Sequence, residues 1–420
     1  MQFKAVKDEV RLEVESMKAM LEQLSDYIYD NPEAGFQEHK ACERLCEELE
    51  LQGFRTERGV GELDTAFVAT ACPTGSASPR IDILAEYDAL GLGTSFGEDY
   101  GVVHACGHNI IAATAIGSAV ALSRVMGRHG ISGTIRVVGA PAEEGGGGKA
   151  LLQRAGVFDG SDLLLLLHPT SGTNKVAGAC RSSTTLQVRY RGVAAHSGNH
   201  KERGINAEDA ATICYVAIGC LRHQLPDDVQ VFAQYANIGE ARSLIPDEAD
   251  MSVTIRAMRA AQLDATLARV KACAEAGALA TGCEVEMAEK GERYYGRLVF
   301  PSLTEAVRRN FLSLGETVMD GAVDDNGGED FGNLTYEIPG VMPYPTLLPA
   351  RKISNHTPEF YRLCKSERAH DVLVLGSCVL AMTAIDALLD ATLLESAWSE
   401  LRGLQLQEDA KSALAHVSKR

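Results

Sequence analysis

Thr134-Ile135-Arg136-Val137-Val138-Gly139-Ala140-Pro141-Ala142-Glu143-Glu144-Gly145-Gly146-Gly147-Gly148-Lys149 is the stretch on which the fold turns. An apolar strand, Thr134 to Gly139, runs into two adjacent carboxylates and a run of glycines, and a helix is predicted near Lys149 to Ala155. The same texture extends in both directions. Downstream, Leu163 to Leu167 is an uninterrupted apolar run that ends in His168-Pro169, as a strand buried on both faces does. Upstream, Arg80 to Ala85 ends in Glu86-Tyr87-Asp88, and Asp64 to Thr70 is a further short apolar segment. A long helix of small residues runs from His104-Ala105-Cys106-Gly107-His108-Asn109 through Val125. Before it, Val10, Val14, Met17, Leu21 and Leu24 recur at helical spacing, and a second helix is expected near Gln37 to Leu51. Strands alternating with helices predict an α/β fold, with a mainly parallel sheet covered by helices on both faces.

The texture changes near residue 182. Thr184 to Tyr190, Val229 to Ile238 and Ala249 to Met258 alternate apolar and polar residues, with helices near Asn206 to Leu221 and Ala261 to Ala278 and a strand near Cys283 to Glu289. That βαββαβ order predicts a small ferredoxin-like α+β unit at 182–296, inserted into a larger domain made of 1–181 and 297–420. The tail from Trp398 to Arg420 reads as a charged surface helix.

Composition narrows the function. The chain has 420 residues, with 40 Lys and Arg against 57 Asp and Glu, for a formal charge of -17. Phosphate backbones and anionic lipid repel such a chain, so neither nucleic acid nor a membrane is expected as a partner. No run approaches the roughly 18 uncharged apolar residues expected of a membrane span. The charged first 25 residues are unlike a signal peptide. The 11 Cys are odd in number and form no CxxC pair, which predicts reduced thiols in a cytoplasmic protein.

Four segments place polar residues at or just beyond expected strand ends, where open α/β sheets bind ligands. They are His104-x-Cys106-x-His108, Glu143-Glu144, Leu167-His168-Pro169 and Ser354-Asn355-His356-Thr357. Thiolate, imidazole and carboxylate together suit Zn²⁺, Mn²⁺ or Co²⁺. Taken singly, each piece reads as packing or a solvated turn. Glu143-Glu144 resists that reading, because charge after a buried strand is costly without a partner. Adjacent carboxylates also repel unless one binds a cation and the other works as a base. The glycines before Lys149 fail the spacing of a phosphate loop, because Ala150 follows the lysine.

Longer motifs appear in order over roughly residues 25 to 385. They are Asn31-Pro32-Glu33-Ala34-Gly35-Phe36-Gln37-Glu38, Ala85-Glu86-Tyr87-Asp88-Ala89-Leu90, His104-Ala105-Cys106-Gly107-His108-Asn109 and Pro141-Ala142-Glu143-Glu144-Gly145. Gly192-Val193-Ala194-Ala195-His196-Ser197, Ile245-Pro246-Asp247, Gly328-Glu329-Asp330-Phe331-Gly332 and His356-Thr357-Pro358-Glu359-Phe360 come after them. With these, the chain resembles the M20 metallopeptidase and amidohydrolase family. The likeness is to its M20D-type branch of aminoacylase-like, dipeptidase and aminobenzoyl-glutamate hydrolase enzymes. The resemblance implies two divalent ions (Mn or Zn, or Co) held by Cys106, His108, Glu144, His168 and His356, with Cys106 in the bridging place. It implies Glu143 as general base. It makes 182–296 a lid and dimerisation domain whose His196 reaches the active site, and it implies a homodimer or higher homo-oligomer. Arg256 matches a lid arginine that contacts a substrate carboxylate.

Three features depart from the family. Gly239-Glu240-Ala241-Arg242-Ser243-Leu244-Ile245-Pro246-Asp247 has Ser243 where an Asn helps bind substrate, and it adds Arg242 and Glu240. Ser197-Gly198-Asn199-His200 replaces a small apolar run, and the loop from Gly91 to Val103 is long. The resulting expectation is hydrolysis of a C–N amide bond in a small N-acyl amino acid, dipeptide-like or aryl-amide substrate. Its rivals are hydrolytic deamination of an aromatic amine at the same metals and a catalytically silent metal-binding scaffold.

Overall fold

The computed structural model describes residues 2–239, 243–319 and 327–417. From the N-terminus it runs through α1 (Gln2–Ser16), α2 (Lys18–Asp30), α3 (His39–Leu51), β1 (Arg55–Arg58), β2 (Phe67–Ala71) and β3 (Arg80–Ala85). A short hairpin of β4 (Leu90–Gly91) and β5 (Val102–Val103) leads to α4 (His108–His129), β6 (Thr134–Gly139), α5 (Gly148–Arg154) and β7 (Leu163–Leu165). Next come β8 (Ser182–Arg191), β9 (Ala195–His196), α6 (Ala207–Arg222), β10 (Gln230–Asn237), β11 (Leu244–Ile245), β12 (Glu248–Ala257), α7 (Ala260–Thr281) and β13 (Glu284–Glu289). The last stretch holds α8 (Pro301–Ser313), α9 (Phe331–Thr335), β14 (Gly340–Val341), α10 (Pro358–Leu363), α11 (Glu367–Leu389) and α12 (Ala391–Val417).

These elements form two compact units. The smaller centres on Cys180–Gly296, and the larger takes the chain up to Ala179 and most of the residues from Arg297 onward. The larger unit holds a sheet of order β1-β2-β6-β3-β7-β14. β6, β3, β7 and β14 run parallel, and β1 and β2 add an antiparallel edge. Alternate strand residues face opposite sides. Ile81, Ile83, Ile135, Val137, Leu163 and Leu165 join the core under α1–α4, α8 and α11. Leu84, Val138 and Leu164 join a second core with Leu152, Phe331 and Leu334. Both faces are therefore buried, which is why β7 reads as an uninterrupted apolar run, and Asp82 of β3 and Arg136 of β6 are tolerated because they pair with each other at 2.8 Å. Truncating Leu164 to Ala would cost about 2–5 kcal/mol by leaving a cavity. The three parallel strands β3, β6 and β7 bring Glu86–Asp88, Glu143–Glu144 and His168 to one edge, beyond their carboxyl ends.

In the smaller unit the sheet order is β10-β12-β8-β13, antiparallel throughout. Its buried residues, such as Leu186, Val188, Tyr190, Met251 and Val253, share one core with Ala210, Cys214 and Ile218 of α6 and with Leu267, Val270 and Ala274 of α7. The side chain of Asn206 caps α6 by accepting from the Glu208 and Asp209 amides.

Several expectations shift in detail. The first apolar face belongs to two helices, because Met17 closes a tight turn on Val14 O at 3.0 Å; its side chain stays in the core, so the face is continuous. The segment expected from Asp64 starts at Phe67, since Ala66 N–H bonds back to Leu63 O in a turn. α4 and α11 are long and apolar enough to cross a membrane, which the sequence reading did not anticipate. Their most apolar windows are 83% and 78% buried and the two helices pack on each other, so here they are core helices. Trp398, expected on a surface tail, is partly buried and donates from Nε1 to Asp162 O at 3.2 Å.

Candidate active site

Cys106, His108, Glu143, Glu144, His168 and His356 come together in the larger unit, although the chain separates them by up to 250 residues. Cys106 ends the turn before α4. Gly107 makes that turn possible: its φ is +85°, and a Cβ there would lie 2.4 Å from Pro169. His108 is the first residue of α4. Glu143 and Glu144 leave β6 through Ala142, whose φ of 57° is a conformation non-glycine residues rarely take. His168 follows β7. His356, also at positive φ (60°), is tied back by its N–H to Ala105 O at 2.9 Å.

The donor atoms form overlapping triads. Cys106, His108 and His168 offer atoms within 4.8 Å of one another, as do Cys106, Glu144 and His356, and also His108, Glu143 and Glu144. The Cys106 sulfur sits 3.3 Å from His168 Nε2 and 3.3 Å from His356 Nε2, so it is common to two sets. His108 Nδ1 is 2.7 Å from Asp88 Oδ1, and His168 Nδ1 is 2.9 Å from Pro169 O. Those bonds place the ring protons on Nδ1 and leave both Nε2 lone pairs facing the cluster, as in metal-ligating histidines. His108 Nε2 and Glu144 Oε1 are buried without a hydrogen-bond partner. Glu144 Oε1 lies 3.1 Å from His356 Nε2 but out of line for a hydrogen bond. Convergent thiol, imidazole and carboxylate groups, with His108 Nε2 and Glu144 Oε1 buried and unsatisfied, fit a pair of divalent metal ions.

The electrostatics separate the two glutamates. Burial, then the charges of Glu144 and Glu86, push the Glu143 carboxyl well up. Burial also raises Glu144, but the contact with His356 and the charges of His108 and His356 outweigh it and hold that carboxyl down. Burial and Glu144 raise the Cys106 thiol, yet His168 and His108 bring it down to about 6, so thiolate is available near neutrality. Paired carboxyls driven apart in this way are the signature of an acid/base group beside an anion.

The sequence reading named neither Glu38, Asp88, Lys149 nor Asp330 as a site residue. Asp88 orients His108 and accepts the Glu144 amide at 2.9 Å. Lys149 is fully buried, with Nζ 2.6 Å from Glu86 Oε1 and 2.5 Å from Asp330 Oδ1. The signal was present: Glu86-Tyr87-Asp88 closes a buried strand, and Lys149 follows the glycines.

The other expected residues belong to the smaller unit. His196 is exposed on β9, and its Nδ1 accepts from the Gly198 and Asn199 amides at 3.1 Å each, which puts the ring proton on Nε2. Ser243 accepts the Ser197 amide through its carbonyl at 2.9 Å, and Arg256 is exposed on β12. Arg242 lies outside the described residues.

Comparison with known proteins identifies the family. The model of peptidase family M20/M25/M40 matches residues 83–374. An Xaa-Arg dipeptidase of Mus musculus is 32% identical over 399 residues, spanning 92% of this chain and 89% of the relative. A p-aminobenzoyl-glutamate hydrolase polypeptide of Escherichia coli (strain K12) is 32% identical over 282 residues, 65% of this chain and 58% of the relative. Among solved structures, a dinuclear metal-binding peptidase of the M20 family from Bacillus subtilis shares the fold with a TM-score of 0.67 at 22% identity, covering 89% of this chain and 99% of that one. An aminobenzoyl-glutamate utilization protein from Klebsiella pneumoniae gives 0.66 at 18% identity, covering 89% and 97%. The chain thus belongs to peptidase family M20/M25/M40 and is a metal-dependent amidohydrolase.

Proposed function

We propose that the protein hydrolyses the C–N amide bond of a small N-acyl amino acid, dipeptide-like or aryl-amide substrate, with two divalent ions held by Cys106, His108, Glu144, His168 and His356. The observation that carries this reading is the adjacent pair Glu143–Glu144, one carboxyl raised and the other lowered, in a triad with His108 that overlaps two further triads joined by Cys106. When bound, the metals lower the pKa of water and polarise the amide carbonyl. Glu143 takes a proton from the attacking water and passes it to the departing nitrogen, leaving a carboxylate and an amine. Its raised pKa suits both halves of that transfer. Cys106, common to two of the triads, would help hold both ions, and Mn, Zn or Co each match the donor set.

His196 presents Nε2–H as a donor for the developing oxyanion. Arg256, Ser243 and Arg242 are our candidates for substrate contact, which makes residues 182–296 a lid. The relatives named for Xaa-Arg dipeptides and for aminobenzoyl-glutamate support a substrate that joins an acyl or aminoacyl group to an amino acid. The same smaller unit supports a homodimer: the edge strand β10 exposes Phe232 and Tyr235, and α6 beside it exposes Tyr215 and Val216. Cysteines outside any disulfide, most of them buried, support a reducing cytoplasmic setting.

The test is an endpoint screen by mass spectrometry. Mn²⁺- and Zn²⁺-loaded protein is incubated with N-acyl amino acids, dipeptides, aminobenzoyl-glutamate and aromatic amines, beside Glu143→Ala. Amide cleavage by the wild type, lower by about 10²–10⁴-fold in a Glu143→Ala variant that retains its metal, is expected. Ammonia release from an aromatic amine would replace the reading by deamination. No turnover at full metal occupancy would leave a silent scaffold.

A further inference from the structure

Three buried carboxylates outside the proposed ligand set each accept one backbone N–H from the segment that carries Glu143 and Glu144. Glu38 Oε1 takes the Ala142 amide at 2.8 Å, Asp88 Oδ2 takes that of Glu144 at 2.9 Å, and Asp330 Oδ2 takes that of Lys149 at 2.8 Å. The three acceptors come from separate parts of the chain: the turn before α3, the loop after β3 and the residue before α9. Each is itself held. Thr65 Oγ1 donates to Glu38 at 2.8 Å, His108 meets Asp88, and Lys149 Nζ bridges Asp330 and Glu86. None of the three is more than 1% exposed.

Buried charge on a backbone amide is costly, and water or a carbonyl would satisfy the same amide at less cost. The segment also departs from ordinary backbone geometry. Ala142 has φ 57°, Gly145 φ 96° and Gly147 φ 71°, and a Cβ on Gly148 would lie 1.8 Å from Pro141 O. Strained backbone persists only where its surroundings over-determine it. The chemistry needs that rigidity, because both glutamates approach His108 Nε2, at 3.8 and 3.9 Å, while only Glu144 is to reach His356 as well.

We propose that Glu38 and Asp330, the latter with Lys149, are positioning residues for Glu143. They pin the segment at both ends, Ala142 and Lys149, and so hold the Glu143 carboxylate at its place 3.8 Å from His108 Nε2. Asp88 pins the middle. This rests on the hydrolase reading above for its consequence in turnover, but the pinning itself can be read without activity.

The experiment compares Glu38→Gln, Glu38→Ala and Asp330→Ala in the full chain, loaded with Co²⁺ or Mn²⁺, well below each variant's Tm. Glu38→Gln keeps an acceptor oxygen for the Ala142 amide, and Glu38→Ala removes it. For Glu38→Ala we expect kcat to fall about 10–100-fold with KM within about twofold and metal content unchanged, as a misplacement of about 1 Å produces. Glu38→Gln restores most of that loss. Amide hydrogen exchange in a 141–149 peptide accelerates in Glu38→Ala and Asp330→Ala, and stays near wild type in Glu38→Gln. A merely structural role would lower Tm and leave kcat and local exchange alone, and that result overturns the proposal. If Glu38→Ala does not fold, Asp330→Ala decides alone, and wild-type exchange in it is fatal to the idea. If the wild type cleaves no amide, the hydrolase reading fails by itself. Faster exchange then still supports the pinning, and unchanged exchange removes it.

Discussion

Lys149 in the larger unit and Arg293 in the smaller one each bridge two carboxylates, in different surroundings. Lys149 lies 2.6 Å from Glu86 and 2.5 Å from Asp330, with all three side chains at most 1% exposed. Arg293 lies 2.7 Å from Glu289 and 2.9 Å from Asp264, with 34% of its side chain exposed. The bonds are alike in length, but the solvent is not. Water screens the Arg293 cluster, so its charges are inexpensive to keep and contribute little. No water screens Lys149, so its charge persists only because both partners are in place, and losing it leaves two uncompensated carboxylates. The lesson is that contact geometry alone does not rank ion pairs. Burial does, and the buried pair lies beside the segment where the chemistry is proposed.

Four perturbations break or sharpen that contrast. Lys149→Met carries the largest expected effect, a loss of about 3–5 kcal/mol in stability. Urea unfolding of the purified variant reads it, and a midpoint equal to wild type would erase the distinction between the two clusters. Cys106→Ala comes next: total bound metal, measured by inductively coupled plasma mass spectrometry, should drop, and unchanged stoichiometry would take Cys106 out of the ligand set. Asp88→Ala should weaken metal binding by about 10–100-fold, because His108 loses the bond that fixes its ring. Competition with a chromogenic chelator measures this.

Arg293→Ala carries the smallest effect, about 0.2–1 kcal/mol. It also has a pH signature. The hydrogen bond from Arg293 holds the Glu289 carboxyl down at about 2, against an ordinary 4.5. A carboxyl depressed in the folded state stabilises fully above the ordinary value and loses that contribution as pH falls toward the folded one. Thermal midpoints of wild type and Arg293→Ala should therefore differ most above pH 4.5 and converge near pH 2. A gap that persists at low pH would assign the effect to packing of the Arg293 stem.

Local chemistry was enough for much of this molecule. The apolar run Leu163 to Leu167, the alternation in Thr184 to Tyr190 and the helical spacing of the first residues name their own elements, because period and burial are printed in neighbouring side chains. The same holds for Glu143-Glu144: two charges directly after a buried strand are anomalous wherever the chain goes. Cys106, His108, His168 and His356 were legible as candidates through their places beyond strand ends and through the family motifs. Their distances from one another were not.

Tertiary structure alone decided which polar residues support the rest. Glu38 meets Ala142 across 104 positions of sequence, and Lys149 meets Asp330 across 181. Nothing local in Gln37-Glu38-His39 or in Glu329-Asp330-Phe331 distinguishes an amide acceptor from a solvated turn. α4 and α11 show the same limit, since their composition fits either a bilayer or a core and only their burial, α4 against the sheet and α11 against α1, α2 and α8, assigns them to the core. The sequence thus determined which groups can do chemistry. Folding decided which charges lose their water, and therefore which of them must be matched in pairs.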